Sequence, residues 1–162
     1  VTAAKTPSQR GRASRNKGAA FERAVTTTLR PFFPDVRRSR DNGSTTTTDT
    51  GDLVDAGPFW WSLKDDKSGD LGTPSVLAGW QTEAVTKAGS ALVPIIVQKR
   101  RGHSDVLRSW TWLRLDDLVH FASGLDAPTS AQRWTRMELG DVLEILVGAN
   151  YALDPQHHAA VS

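Results

Sequence analysis

The apolar positions of the chain change period several times, and each change marks an element. Phe21, Val25 and Leu29 recur every four residues, which predicts a helix from Asn16, a residue able to cap its N-terminus, to about Arg30, with Pro31 ending it. Residues 35–40 form a short polar strand candidate, and Asp41-Asn42-Gly43-Ser44 opens a loop. Residues 50–54 and 59–64 read as two short strands separated by the turn residues Asp55-Ala56-Gly57-Pro58, and so as a hairpin. From Pro74 to about Lys87 the apolar residues Leu77, Trp80 and Ala84 return to helical spacing. The continuous apolar run at 92–97 predicts a buried strand. Residues 109–115 alternate as a further strand, and 115–122 can start a helix. After the break at Asp126-Ala127-Pro128, Thr135 and Glu138 have the spacing of a capping box, which predicts a helix through about Val147.

The order of these elements predicts an α/β domain with a mixed sheet flanked by helices. A chain of 162 residues suits one domain with a real core. Residues 1–15 lack periodicity and read as a flexible basic arm, 16–125 as the folded body, and 126–162 as a C-terminal helical extension and tail. No apolar run reaches the roughly 18 residues of a membrane span, and the basic N-terminal residues lack the apolar stretch of a signal peptide, so no membrane partner is expected. The absence of cysteine excludes disulfides, thiolate metal sites and cysteine nucleophiles. Without a glycine-rich phosphate motif, no nucleotide cofactor is expected.

Charge sharpens the picture. Residues 1–40 hold ten Lys or Arg against Glu22 and Asp35, while the remaining 122 residues carry ten basic and sixteen acidic groups. A basic end on a mildly acidic body suits a protein that meets nucleic-acid phosphates. A solubilising tail would have the same composition.

Candidate chemistry centres on Glu22, Asp52 and Lys64. Side chains alternate along a strand, so Ser62, Lys64 and Asp66 share one side of the second hairpin strand. Pairing of the two strands would set Asp52 beside Ser62 and Lys64, with a neighbouring helix bringing Glu22. Carboxylates and water suit a hard divalent cation, and an ammonium nearby stabilises charge on a phosphate or orients water for phosphodiester hydrolysis. Taken one at a time, Asp52 is as well read as a turn cap and Lys64 as a solvated strand end.

The ordered set resembles the PD-(D/E)XK nuclease superfamily, and within it the archaeal-type Holliday junction resolvases and their phage relatives. The resemblance spans about residues 16–115. Lys17-Gly18 followed by Glu22-Arg23 is similar to the family's N-terminal helix, whose Glu is a metal-site residue. Arg37-Arg38-Ser39, with Arg40 and then Gly43-Ser44, resembles the strand and loop that approach DNA. Gly51-Asp52-Leu53 stands for the motif whose Asp is the central metal ligand, and Ser62-Leu63-Lys64 occupies the Glu-x-Lys position. The apolar strand running into Lys99-Arg100-Arg101 and the strand with Trp110 and Trp112 also fit.

The resemblance implies a restriction-endonuclease-like fold and a homodimeric, magnesium-dependent endonuclease for branched double-stranded DNA, with manganese as a substitute. It implies catalytic Glu22, Asp52, Ser62 and Lys64, and phosphate contacts by Lys17, Arg37, Arg38, Ser39, Arg40, Ser44, Lys99, Arg100 and Arg101. The host compartment would be bacterial cytoplasm for a phage-encoded chain. Other outcomes are a nuclease for flaps or DNA ends, and a non-catalytic DNA-binding module.

Ser62 departs from the family pattern, because a hydroxyl replaces a charged ligand. Three readings are open. Asp66 or Glu83 has moved into the space, with Gln81 adding an amide oxygen. Asp65-Asp66-Lys67 supplies the element in a shifted register. Or the protein binds junctions without cutting them efficiently.

Overall fold

The computed structural model describes residues 7–42, 51–66, 74–124 and 133–153. Helix α1 (Pro7–Leu29) leads into β1 (Arg37–Arg38), β2 (Leu53–Val54) and β3 (Phe59–Lys64). Helix α2 (Pro74–Ala88), β4 (Val93–Gln98), β5 (Trp110–Arg114), α3 (Leu115–Ser123), β6 (Trp134–Glu138) and α4 (Leu139–Gly148) follow. The strands make one six-stranded sheet in sequence order, β1 to β6. Neighbours are antiparallel except β3 and β4, which run parallel because α2 carries the chain back between them.

Strand alternation divides the apolar residues between two faces. On the first face, Leu53, Trp61, Ile95, Val97 and Leu113 pack with Phe21, Val25 and Leu29 of α1, Phe121 of α3, and Leu139, Val142, Leu143 and Leu146 of α4. On the second, Trp60 and Ile96 pack with Ala84 and Ala88 of α2, and Trp80, Trp112 and Trp134 flank them. Each large side chain so buried contributes about 1.5–3 kcal/mol relative to exposure. Pro94 is tolerated inside β4 because the Val93 N–H, one residue earlier, donates toward β3, to Pro58 O at 3.0 Å. The position lacking an N–H therefore faces β5, where pairing begins only at Ile96.

Two boundaries differ from the sequence expectation. The helix begun at Asn16 in the sequence reading starts at Pro7, so residues 7–15 are helical and not an unstructured arm. Proline suits a first helical turn, and Gln9, Arg10, Arg12, Ala13 and Arg15 are good helix formers that offset Gly11, so helix propagates without an apolar stripe. Residues 1–6 lie outside the described residues. Thr135 and Glu138 form no capping box: they lie in β6, where Thr135 pairs with Leu113 and Glu138 with Trp110, and the helix starts at Leu139. Residues 134–148 therefore complete the sheet and its core instead of forming an appended helical unit. Among the described residues, no helix is long and apolar enough to cross a membrane.

Candidate functional site

The hairpin geometry places Asp52. Leu53 pairs with Trp61, and the Asp52 N–H donates to Trp61 O at 2.7 Å, so Asp52 lies across from Ser62. Its Oδ2 accepts the Leu63 N–H at 2.6 Å, which fixes the carboxylate against the β3 backbone between Ser62 and Lys64. Gly51 makes this approach possible: its φ is +79°, and a Cβ there would stand 2.5 Å from Trp61 O. Asp52 thus lies across from Ser62 and caps the end of the β2–β3 ladder.

Lys64 emerges on the α2 face. Its Nζ is 3.3 Å from Glu83 Oε2 and 5.9 Å from the centre of the Trp80 ring, both on α2. Lys87, one helical turn after Glu83, reaches Glu83 Oε1 at 2.9 Å. Hydrogen bonding from Lys87, aided by Lys64, holds the Glu83 carboxyl below the usual carboxylate range against the opposing effect of burial. Glu83, one of the acids considered for the space left by Ser62, is therefore in contact with Lys64. Asp66 is exposed, and Gln81 lines a groove of about 230 Å³ with Ala78, Thr82, Val85, Thr86 and Trp134. Ser62 itself is 2% exposed.

Glu22 occupies a different position. It is buried on α1, packed on the first face, and pairs with Arg40 in the short 3₁₀ turn Ser39–Asn42 after β1. The Ser39 N–H donates to Asp52 O at 2.9 Å, so this turn joins Glu22 to the Asp52 strand. The helix bearing Glu22 and the helix bearing Glu83 lie on opposite faces of the sheet. Among the described residues, no three His, Asp or Glu side chains form a group that could hold a metal. The donor set does not fit a preassembled magnesium site, since Glu22 and Glu83 are each occupied by cations.

The basic residues expected to track phosphates are mostly matched to acids. Arg37 pairs with Asp55, which raises the guanidinium above its ordinary pKa. Lys99 and Arg101 approach Asp65 at 3.5 and 3.3 Å, and the Asp65 side chain is only 3% exposed. Arg100 Nη1 donates to Glu138 Oε1 at 2.5 Å. Lys17 is exposed on α1 and Arg38 half-buried in β1, while Ser44 and Lys67 lie outside the described residues. Asp65 therefore neutralises part of the basic cluster, on the face opposite Lys64.

One arrangement escaped sequence reasoning. Arg100 and Arg136 lie over the Trp110 ring, at 4.0 and 4.4 Å from its centre, and Arg136 is also 5.3 Å from the centre of Trp112. The signal was present in the alternation Trp134, Arg136, Glu138, but a helical reading of that segment dispersed these residues around a cylinder. A concavity of about 790 Å³ lies elsewhere, lined by Arg30, Pro34, Asp35, Val36, Arg37, Asp55 and Gly57. Comparison with protein-family models, curated proteins and solved structures finds no match to this chain.

Proposed function

We propose that this protein is a DNA endonuclease of the PD-(D/E)XK type, acting on branched duplex DNA, with Asp52, Lys64 and Glu83 as its working groups. The observation that carries this reading is the Lys64–Glu83 contact beside Asp52. It supplies an acid from α2 where the sequence has Ser62 in place of the family's Glu. The order of helix, hairpin, apolar strand ending in Lys, helix and buried strand supports the same reading.

In this proposal Asp52 is positioned by the Leu63 N–H, and Lys64 provides a positive charge for the phosphate. Glu83 keeps Lys64 in place until DNA arrives. Magnesium belongs to the proposal through the sequence resemblance alone, and binding it beside Asp52 requires Glu83 to release Lys64 and Lys87. A homodimer would present two such sites to a two-fold symmetric junction.

The second reading is a DNA-binding module that does not cut. It is favoured by the pairing of both Glu22 and Glu83 with cations. Incubating the full chain with an end-labelled four-way junction, in magnesium and in EDTA, separates the two. Magnesium-dependent strand cleavage supports the nuclease. Retarded but intact junction in both conditions supports the binding module.

A further inference from the structure

The second face of the sheet ends at β6, an edge strand, and α2 packs over β3 and β4. Trp110, Trp112, Trp134, Arg136 and Glu138 share this face at the β5–β6 edge by strand alternation and by the pairs Trp112–Arg136 and Trp110–Glu138. The local charges are unequal. Glu138 serves both Arg100, at 2.5 Å, and Arg108, at 3.6 Å, while Asp117 holds Arg114 through contacts of 2.7 and 2.8 Å. Arg136 is exposed and has no acid within ion-pair distance among the described residues. Its fixed surroundings are the Trp110 and Trp112 rings.

Such a guanidinium is prepared for an anion. Contact with the ring faces restrains the side chain by cation–π attraction while leaving in-plane N–H donors for an oxyanion. Two N–H groups of one guanidinium match two phosphate oxygens, and restraint before binding reduces the entropy lost on complex formation. A carboxylate on a partner protein would offer the same geometry, but the neighbouring arginines outnumber the acids, which favours a polyanion over an isolated acidic side chain.

We propose that Arg136 is a phosphodiester-binding residue that holds a DNA strand at the β6 edge, on the face that carries Lys64. This inference deepens the DNA reading above and rests on it. Pairing aligns Ser62, Ile96, Trp112 and Arg136 in one row across β3 to β6. Three strand spacings, about 14 Å, separate the ends of that row. Helix α2 covers Ser62 and Ile96 in that row, so a strand engaged near Lys64 passes around the helix to reach Arg136, and Arg136 sets the direction in which it leaves the site.

The test uses the full chain in EDTA, so that binding is read without cleavage, with a fluorescein-labelled four-way junction and a labelled single strand titrated over a range of salt. Arg136→Ala should weaken junction binding about tenfold and flatten the dependence of log affinity on log salt by about 1. Arg136→Lys should restore the slope but only part of the affinity, because it keeps the charge and loses the fork. Arg30→Ala, an equal loss of charge outside this edge, should alter the slope far less. Unchanged affinity and slope in Arg136→Ala, with only a lowered melting temperature, would show that Arg136 merely braces the edge strand and would overturn the proposal. Failure of the wild-type chain to bind either DNA would overturn the DNA reading together with this one. Salt-dependent binding through Arg136 without cleavage in magnesium would support this inference and reject only the nuclease. A slope change confined to the single strand would place the contact on unpaired DNA and support the proposal in that form.

Discussion

Lys64 Nζ stands 3.3 Å from Glu83 Oε2, joining the end of an apolar strand to the middle of the helix that follows it. If this contact holds the acid that Ser62 lacks, Glu83→Gln should reduce junction cleavage at least tenfold while leaving EDTA-phase DNA binding near normal. Ser62→Glu alone should not help, since it buries a second carboxylate at a 2%-exposed position beside Asp52. Combining Ser62→Glu with Glu83→Gln moves the charge onto the strand, and partial recovery of cleavage is the expected outcome. Cleavage by Glu83→Gln at the wild-type rate would exclude Glu83 from the chemistry.

Gly51 sets the path of the backbone into Asp52. Gly51→Ala adds a Cβ that would lie 2.5 Å from Trp61 O in a left-handed conformation, φ +79°. The expected cost is about 2 kcal/mol or more, from backbone strain plus displacement of the hairpin. Urea denaturation checks the loss, and a midpoint equal to that of wild type would mean that the close approach of Gly51 to Trp61 is absent in solution.

Asp65 restrains the cluster that was expected to meet phosphate. Asp65→Asn should raise affinity for DNA several-fold at low salt and steepen the salt dependence, because Lys99 and Arg101 lose their shared acid. The stability cost should be small, about 1 kcal/mol, since both cations are substantially solvent-exposed and screened. Fluorescence anisotropy across a salt series reads the change. Weaker binding by this variant would mean that Asp65 orients the two cations for DNA instead of competing with it.

Leu146, fully buried in α4, ties residues after 133 to the same core as Phe21 and Trp61. Leu146→Ala should cost about 2–5 kcal/mol, as deletion of a large core side chain does elsewhere. A chain ending at residue 125 should lose cooperative unfolding. A sharp thermal transition in that fragment would show that the C-terminal segment is a separable addition.

Local chemistry made much of this fold legible. The four-residue spacing of Phe21, Val25 and Leu29 marks the buried stripe of α1, and the run at 92–97 marks β4 because a strand covered on both faces needs no alternation. The hairpin spacing placed Asp52 across from Ser62. Capping-box residues misled at Thr135 and Glu138, because pairing with β5 prevailed over a weak local helix signal. That error concealed Arg136 and its tryptophans. Side-chain pairings were equally hidden: no spacing rule says that Arg40 meets Glu22 or that Glu83 meets Lys64. Those contacts depend on how helices lie on a sheet, which the chain specifies only through its whole core.

The most direct measurement is strand cleavage of a labelled four-way junction in magnesium by the wild-type chain and by Lys64→Ala at equal fractional DNA occupancy. A nuclease centred on Asp52, Lys64 and Glu83 should cut as the wild type and lose at least a hundredfold in rate as Lys64→Ala, with the variant still folded and bound. Equal cleavage by the two proteins, or none by the wild type when bound, would contradict it.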